Sequence, residues 1–180
     1  MQRKGKVVFT AMAVVFYLGV NVTFAQMDVN QAALRDRQFL QDASVSSAWL
    51  ITLGNIALRQ AASADIKNFS KMMIRDQGQI DGDLKMLAQR KGVTLSGDTD
   101  PVRRNTSAFL SQEYGAAFDR NFISLIEDVH QRDAALYREE TEKGLDADIR
   151  AFAGRLVKRL EEYVGMAKKI LNDLPKPLLK

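Results

Sequence analysis

The sequence predicts an all-α protein, an antiparallel bundle of four helices with a long crossover between the second and third helices. Apolar residues recur at intervals of three and four in four long segments, which is the spacing of one face of an α-helix. Proline is nearly absent, with three residues in a chain of 180. Beyond residue 25, no segment has the alternation of apolar and polar residues that is typical of a strand.

The first 25 residues have the three parts of a secretory signal peptide, and we expect them to be removed. Basic residues open the chain, an apolar run covers residues 7–20, and a Thr-Phe-Ala stretch at residues 23–25 offers small residues to a signal peptidase. The alternative is an uncleaved membrane anchor, but the run is shorter than the roughly 20 residues that a spanning helix needs. The chain is therefore predicted to be exported and to have no transmembrane helix after cleavage.

The composition argues against nucleic-acid binding and limits how the core can be stabilised. Residues 1–25 contain three of the 26 basic residues and none of the 22 acidic ones, so the mature chain has a net charge of +1. A nearly neutral exported chain without a basic patch is not expected to bind nucleic acid. Cysteine is absent, so the core must be stable without disulfides. Residues 26–180 suffice for one domain with a sizeable core.

The first predicted hairpin consists of two helices joined by a short link. The apolar stripe of its first helix contains Phe39, Ala43, Leu50, Leu53, Ala57 and Ala61. The stripe of its second helix contains Ile66, Phe69, Met73, Ile80, Leu84 and Leu87. Ser63 is expected to cap the start of the second helix and Gly92 to end it. Gly78 and Gly82 are interpreted as a place of close helix packing, with a softer helical segment as the alternative.

The second predicted hairpin has the same design. The stripe of its first helix contains Phe118, Phe122, Leu125, Val129 and Leu136. The stripe of its second helix contains Ile149, Phe152, Leu156, Leu160, Val164, Ala167 and Leu171. We expect the seam of the core, where the helices meet, to be set by Leu53, Phe69, Phe122 and Phe152. The bundle domain is predicted at residues 36–172, between a flexible N-terminal tail at residues 26–35 and a C-terminal tail at residues 173–180.

The link between the two hairpins, residues 92–115, is much longer than the other links. It begins with loop composition, and a short helix is predicted around residues 106–113. Such a link can extend along the whole bundle, and one long crossover between two hairpins is the ferritin-like arrangement. The alternative is a simple up-down bundle with an elaborated loop.

His130, the only histidine of the chain, follows Glu127 by three residues. Glu-x-x-His on a helix binds metal in iron-carboxylate bundles, which need about four carboxylates and two histidines. Between Asp42 and Asp65 there is no acidic residue, so the first helix offers no ligand at mid-bundle. A di-iron site is therefore not expected. A single, weaker metal site would use Glu127, His130 and Asp76; otherwise His130 is a hydrogen-bonded histidine of the core.

No catalytic group stands out in the sequence. The serines of the first helix, Ser44, Ser46 and Ser47, have no neighbouring histidine, and a triad would depend on His130 alone. Trp49 lies beside the apolar stripe and is expected in the core or at a subunit contact, which leaves a homo-oligomer open.

Five stretches, which span most of residues 38–171, carry a family resemblance: FLQDASVSSAWLITLGNIALRQA, IKNFSKMMIRDQ, LKMLAQRKGVTL, FDRNFISLIEDVHQRDAALY and IRAFAGRLVKRL. In their order and spacing they resemble the bacterial domain-of-unknown-function family 4142. Members of this family are exported ferritin-like proteins that are often described as outer membrane proteins. The resemblance implies a ferritin-like fold and a location in the cell envelope, either in the periplasm or associated with the outer membrane.

The family typically carries Met-Val-x-Asp-His in the second and third helices and a further histidine in the fourth. In this chain, Gln77 stands at the first of these histidines and Tyr163 at the last, while His130 is kept. Because the replacements are polar yet neutral, we expect a structural polar layer of Asp76, Gln77, His130 and Tyr163, in which each group hydrogen-bonds another. Such a layer needs no metal and no other cofactor.

The sequence thus favours a non-enzymatic helical-bundle protein of the periplasm, a binding or envelope-stress accessory protein with a protein or small-molecule partner in the envelope. The alternative is a metal-handling ferritin-like protein with a reduced metal site. The sequence names neither the partner nor the ligand.

Overall fold

Five α-helices make up the part of the protein that the computed structural model describes, residues 11–97 and 100–175, with side chains from residue 33 onward. They are α1 (Ala11–Gln60), α2 (Ala64–Arg90), α3 (Pro101–Leu110), α4 (Gly115–Lys143) and α5 (Ala147–Asp173). These described residues contain no strand, which confirms the all-α prediction. Among the helices searched in this part of the chain, none is long and apolar enough to cross a membrane.

The directions of the helices follow from the bonds between them. α1 and α2 are joined by residues 61–63 and form one hairpin, and α4 and α5 are joined by residues 144–146 and form the other. Bonds from Ser46 to Asp133 and from Tyr163 to Asp76 join α1 to α4 and α5 to α2. The middle of α1 contacts the end of α4, the end of α1 contacts the start of α4, and the end of α2 contacts the start of α5. Each of these helices is therefore antiparallel to both of its neighbours, so α2 and α4 run the same way. The link that carries α3 therefore returns along the length of the molecule.

The predicted signals at the ends of α2 are confirmed. The Ser63 side chain accepts a hydrogen bond from the Ile66 amide, and Gly92 follows the helix with a positive φ of 65°. The crossover helix lies earlier than predicted, at Pro101–Leu110, not around residues 106–113. Asp100 accepts a hydrogen bond from the Arg103 amide, and proline at the first helical position is preorganised for a helix start.

The helical backbone of α1 begins at Ala11, whereas the predicted bundle domain begins at residue 36. The helix includes residues 26–35, for which a flexible tail is predicted. At the end of that segment, Arg35 Nη1 donates to the Lys143 carbonyl over 2.6 Å and ties α1 to the end of α4. The boundaries of the signal segment, the domain and the tails stay predictions. Residues 1–10 and 176–180 lie outside the described residues.

The apolar interior consists of two clusters, one toward each end of the hairpins. Leu53, Phe69 and Phe122 belong to one cluster, and Phe152 belongs to the other. All four side chains are buried, as the stripes predict. They do not form one continuous seam, because polar side chains separate the two clusters at mid-length.

The close approach of α1 and α2 lies at Gly54, where an added Cβ would be 2.7 Å from Ile74 Cγ1. The interpretation of Gly78 and Gly82 as packing glycines is wrong, because an added Cβ at either position would meet nothing within 4 Å. Both lie on the outer side of α2, where glycine costs about 1 kcal/mol of helix stability relative to alanine.

Candidate functional site

A belt of polar side chains crosses the interior between the two apolar clusters. We call the following six residues the polar belt: Ser46, Ser47, Asp76, Gln77, His130 and Asp133. All six are buried, with exposed fractions of 8% or less. Buried polar groups cost free energy unless they find hydrogen-bond partners, so the partners of each group decide what the belt can do.

On the α2–α5 side of the belt, Asp76 is fully partnered. Its carboxylate accepts a hydrogen bond from the Tyr163 hydroxyl at 2.8 Å and forms ion pairs with Arg159 and Arg75. Burial acts to raise the pKa of Asp76, but the hydrogen bonds from Arg159, Tyr163 and Arg75 outweigh it and hold the pKa below its usual value. Asp76 is therefore a charged structural anchor between the two helices.

His130 stacks on Tyr163, with ring centroids 4.8 Å apart and an interplanar angle of 26°. Burial lowers the pKa of His130 to about 4, although a hydrogen bond to Ile126 opposes the shift. The imidazole is thus neutral at pH 7. Its Nδ1 lies 3.0 Å from the Ile126 carbonyl, which can only accept, so the ring proton sits on Nδ1. Nε2 is then a buried acceptor, and no described residue donates to it.

The predicted structural layer of Asp76, Gln77, His130 and Tyr163 is joined only in part. Asp76 and Tyr163 share a hydrogen bond, and His130 contacts Tyr163 by stacking. The backbone carbonyl of Gln77 accepts a hydrogen bond from the Ser47 hydroxyl at 2.9 Å. The side-chain Nε2 of Gln77 has no partner among the described residues.

The structure does not bring the three candidate metal ligands together. The Glu127 carboxylate accepts from Gln131 on its own helix and lies 3.8 Å from the Lys168 ammonium. Asp76 forms ion pairs with two guanidinium groups, and His130 stacks on Tyr163 in the interior. In the part of the chain that the structure describes, no group of three or more His, Asp or Glu residues is placed to hold a metal ion.

The α1–α4 side of the belt contains a pair that is absent from the predicted layer. The Ser46 hydroxyl lies 2.7 and 2.9 Å from the two carboxylate oxygens of Asp133. Burial raises the pKa of Asp133 to about 6, against the opposing effects of the Ser46 hydrogen bond and of the Arg103 and Arg132 charges. Unlike Asp76, Asp133 forms no ion pair within the described residues.

Asp133 opens on a cleft between α1, the start of α3 and α4, with a volume of about 450 Å³. We call it the Asp133 cleft. Its lining includes Ser46, Trp49, Arg103, Val129, Arg132, Asp133 and Leu136. Trp49 donates from Nε1 to the Ser107 hydroxyl at 2.9 Å, which fixes the indole against α3. The Arg103 guanidinium lies 5.4 Å from the centre of the Trp49 ring, in cation–π contact.

The sequence does contain a signal that Asp133 is buried, but an aspartate among apolar residues is easily interpreted as the end of the apolar stripe. Phe122, Ile126, Val129, Asp133 and Tyr137 follow one another at spacings of three and four, which places the aspartate within the buried stripe of α4. Each of these side chains is buried. An acidic residue inside an apolar stripe is therefore the feature that could have indicated the cleft.

Glu140 continues the same stripe and is 1% exposed. Burial and the neighbouring charge of Asp36 raise the pKa of Glu140 to about 7. Asp36 itself accepts hydrogen bonds from the amides of Leu145 and Asp146 and so caps the α4–α5 turn. The carboxyl groups of Asp36 and Glu140 lie at the end of the hairpins, away from the Asp133 cleft.

We expect His130 to stabilise the interior without holding a metal. His130→Ala should lower the free energy of unfolding by about 1–3 kcal/mol, because it removes the stacking on Tyr163 and the hydrogen bond from Nδ1 to the Ile126 carbonyl. His130→Gln, which can still donate to that carbonyl, should cost less. Chemical denaturation and elemental analysis test both points. Near one equivalent of iron, zinc or manganese in the native protein, lost in His130→Gln, would contradict this role.

Comparisons with known proteins identify a family and several solved structures with a similar fold. The family described as a domain of unknown function, DUF4142, matches residues 22–170. A DUF305 fragment from Deinococcus radiodurans has a TM-score of 0.70 at 16% identity, over 78% of this chain and 97% of that chain. A conserved hypothetical protein from Mycobacterium tuberculosis has a TM-score of 0.65 at 17% identity, over 83% and 99%.

A further solved structure, a "putative secreted protein DUF305" from Streptomyces coelicolor, has a TM-score of 0.67 at 12% identity, over 81% of this chain and 98% of that chain. At such identities the likeness shows the fold alone. Among curated proteins, no match to the sequence was found.

Proposed function

The chain belongs to the domain-of-unknown-function family DUF4142, and from this premise we propose that it is a non-enzymatic binding protein of the bacterial envelope whose ligand occupies the Asp133 cleft. The observation that carries this proposal is the cleft itself. It combines a buried acid, an aromatic wall, apolar side chains and guanidinium groups in one concave site. Ligand sites typically combine an apolar lining with a few placed polar groups.

A binding role fits the chemistry of the cleft better than catalysis. The Ser46 hydroxyl donates to Asp133, and the only histidine of the chain is engaged elsewhere, against Ile126 and Tyr163. A nucleophilic serine needs a base that is itself oriented by a third group. The described residues of the cleft provide no such arrangement.

Export and a ferritin-like bundle belong to the same proposal. The two antiparallel hairpins and the long link between them support a ferritin-like four-helix bundle. The signal-peptide pattern of residues 1–25 supports export, as does the description of the Streptomyces coelicolor neighbour as secreted, and the periplasm is the destination that we propose. An envelope-stress role would then act through the ligand that the cleft takes.

A thermal-shift screen with a blocked variant tests the proposed site. Leu136 lines the cleft, so Leu136→Trp should fill part of it, whereas Ala135→Trp adds the same side chain at the exposed neighbouring position. We expect small molecules that raise the Tm of the native protein and of Ala135→Trp to have no effect on Leu136→Trp. Ligands that stabilise all three proteins equally would place the binding site elsewhere and refute the proposal.

A further inference from the structure

We propose that the Asp133 cleft takes an organic ligand with a primary ammonium group, which pairs with Asp133 beside Trp49 while its apolar part lies along α4. This inference rests on the proposed function of the cleft and adds the chemical class of the ligand.

The first support is that no cation contacts the Asp133 carboxylate within the described residues, although the charges of Arg103 and Arg132 act on it from a distance. The Asp133 carboxylate accepts from the neutral hydroxyl of Ser46, and within the described residues it forms no ion pair. The Arg103 guanidinium is engaged with Asp100 at 2.9 Å, and Arg132 lies exposed at the rim. A buried carboxylate without a cation is costly, so a cation that enters from the cleft gains more there than at an exposed acid.

The second support is the face of Trp49. The indole already carries a cation, because the Arg103 guanidinium lies 5.4 Å from its centre. Ser46 and Trp49 are three residues apart on α1, so the indole and the Asp133 carboxylate border the same part of the cleft. An ammonium group near both would combine an ion pair with a cation–π contact. Arg103 is then a resident competitor for the same aromatic face.

The apolar lining explains why the ligand is organic and not a bare cation. Val129 and Leu136 line the cleft on either side of Asp133 along α4, and Val102 adds a third apolar wall. These side chains can cover an alkyl or aromatic body of modest size. The described residues offer no cluster of acidic oxygens that would hold a metal ion in its place.

A matched series of three ligands separates the charges. Hexylamine, 1-hexanol and hexanoate share a six-carbon chain and differ in the charge of the end group. Trp49 is the only tryptophan of the chain, so its fluorescence reports occupation of the cleft directly. With the full mature protein at pH 8, we expect a saturable change with hexylamine and at least about tenfold weaker effects with hexanol and hexanoate.

Variants assign the binding to the proposed atoms. Asp133→Asn keeps the shape of the side chain and should weaken hexylamine binding about tenfold or more. Asp119→Asn is the matched control, because Asp119 is equally buried but accepts from the Ala62 and Ser63 amides, outside the cleft. It should bind hexylamine like the native protein. Arg103→Met removes the competing cation and should tighten binding about two- to fivefold.

The outcomes also separate this inference from the proposed function. Hexanoate or hexanol binding as tightly as hexylamine, or equal affinity in Asp133→Asn, would overturn the ammonium class while leaving the cleft a ligand site. If hexylamine gives no saturable change, the ammonium inference fails. If in addition no compound distinguishes Leu136→Trp from Ala135→Trp in the thermal-shift screen, the proposed function fails as well.

Discussion

Phe122→Ala is expected to lower the free energy of unfolding by about 3–5 kcal/mol, the cost typical of removing a buried phenylalanine. The Phe122 ring is fully buried and stacks on Phe118, with centroids 5.4 Å apart. It belongs to the larger apolar cluster, where Leu53 and Phe69 also lie. The truncation would leave a cavity in the middle of contacts between α1, α2 and α4.

The matched control for this truncation is Phe109→Ala. Phe109 lies on α3 and is 59% exposed, so the same substitution should change stability by about 0.5 kcal/mol or less. Chemical denaturation of both variants provides the comparison. Similar denaturation midpoints for the two variants would mean that the helix faces are assigned wrongly.

Asp133→Asn is expected to change the pH dependence of stability. Burial raises the pKa of Asp133 to about 6 in the folded chain, whereas the unfolded chain releases this proton near pH 3.9. Between these values the folded state binds more protons than the unfolded state, so the contribution of Asp133 to stability falls as pH rises. Relative to the native protein, the variant should therefore gain about 2 kcal/mol between pH 4.5 and pH 8.

The charged and titratable groups around Asp133 come from α1, the start of α3 and α4, and the acidic residues Asp42 and Asp100 line the same cleft. Arg103 at the start of α3 and Arg132 on α4 favour ionisation of the Asp133 carboxyl group. Burial raises the pKa of Tyr137, and the charge of ionised Asp133 raises it further. His130 acts in the opposite sense, because its pKa is lowered to about 4 and its contribution to stability falls as pH drops below 6.5. The difference between variant and native protein isolates Asp133 from this opposing effect.

Urea denaturation of the native protein and of Asp133→Asn at pH 4.5 and pH 8 measures this difference. His130→Gln provides the internal comparison, since its own difference from the native protein should change in the opposite direction with pH. A stability difference for Asp133→Asn that is the same at both pH values would show that Asp133 ionises normally in the folded protein. The cleft would then hold no costly buried charge.

The helical fold could be predicted because its main signal is local. Within each stripe of α2, α4 and α5, the apolar residues recur at helical spacing. Ser63 and Gly92 lie at the ends of α2, as expected of a capping serine and a terminating glycine. The predicted position of α3 is wrong, although Asp100-Pro101 is a helix-start signal. The loop composition of the residues before that pair instead favours a later helix, at residues 106–113.

The candidate site could be predicted only in part, because its pairs depend on how the helices are aligned. Ser46 and Asp133 are 87 residues apart, so their hydrogen bond depends on the register of α1 against α4. The same holds for Gly54, whose importance depends on which face of α1 meets Ile74. A single helix stripe shows that a residue is buried, but it does not show which partner it meets.

The central claim, that the Asp133 cleft binds a ligand through an ammonium group, is tested most directly by NMR mapping of the mature protein during titration with hexylamine at pH 8. We expect amide shifts to change at residues 42–49, 100–103 and 129–136, the three segments that border the cleft, and these changes to be lost in Asp133→Asn. Changes confined to α2 and α5, or scattered over exposed acidic residues of every helix, would contradict the claim.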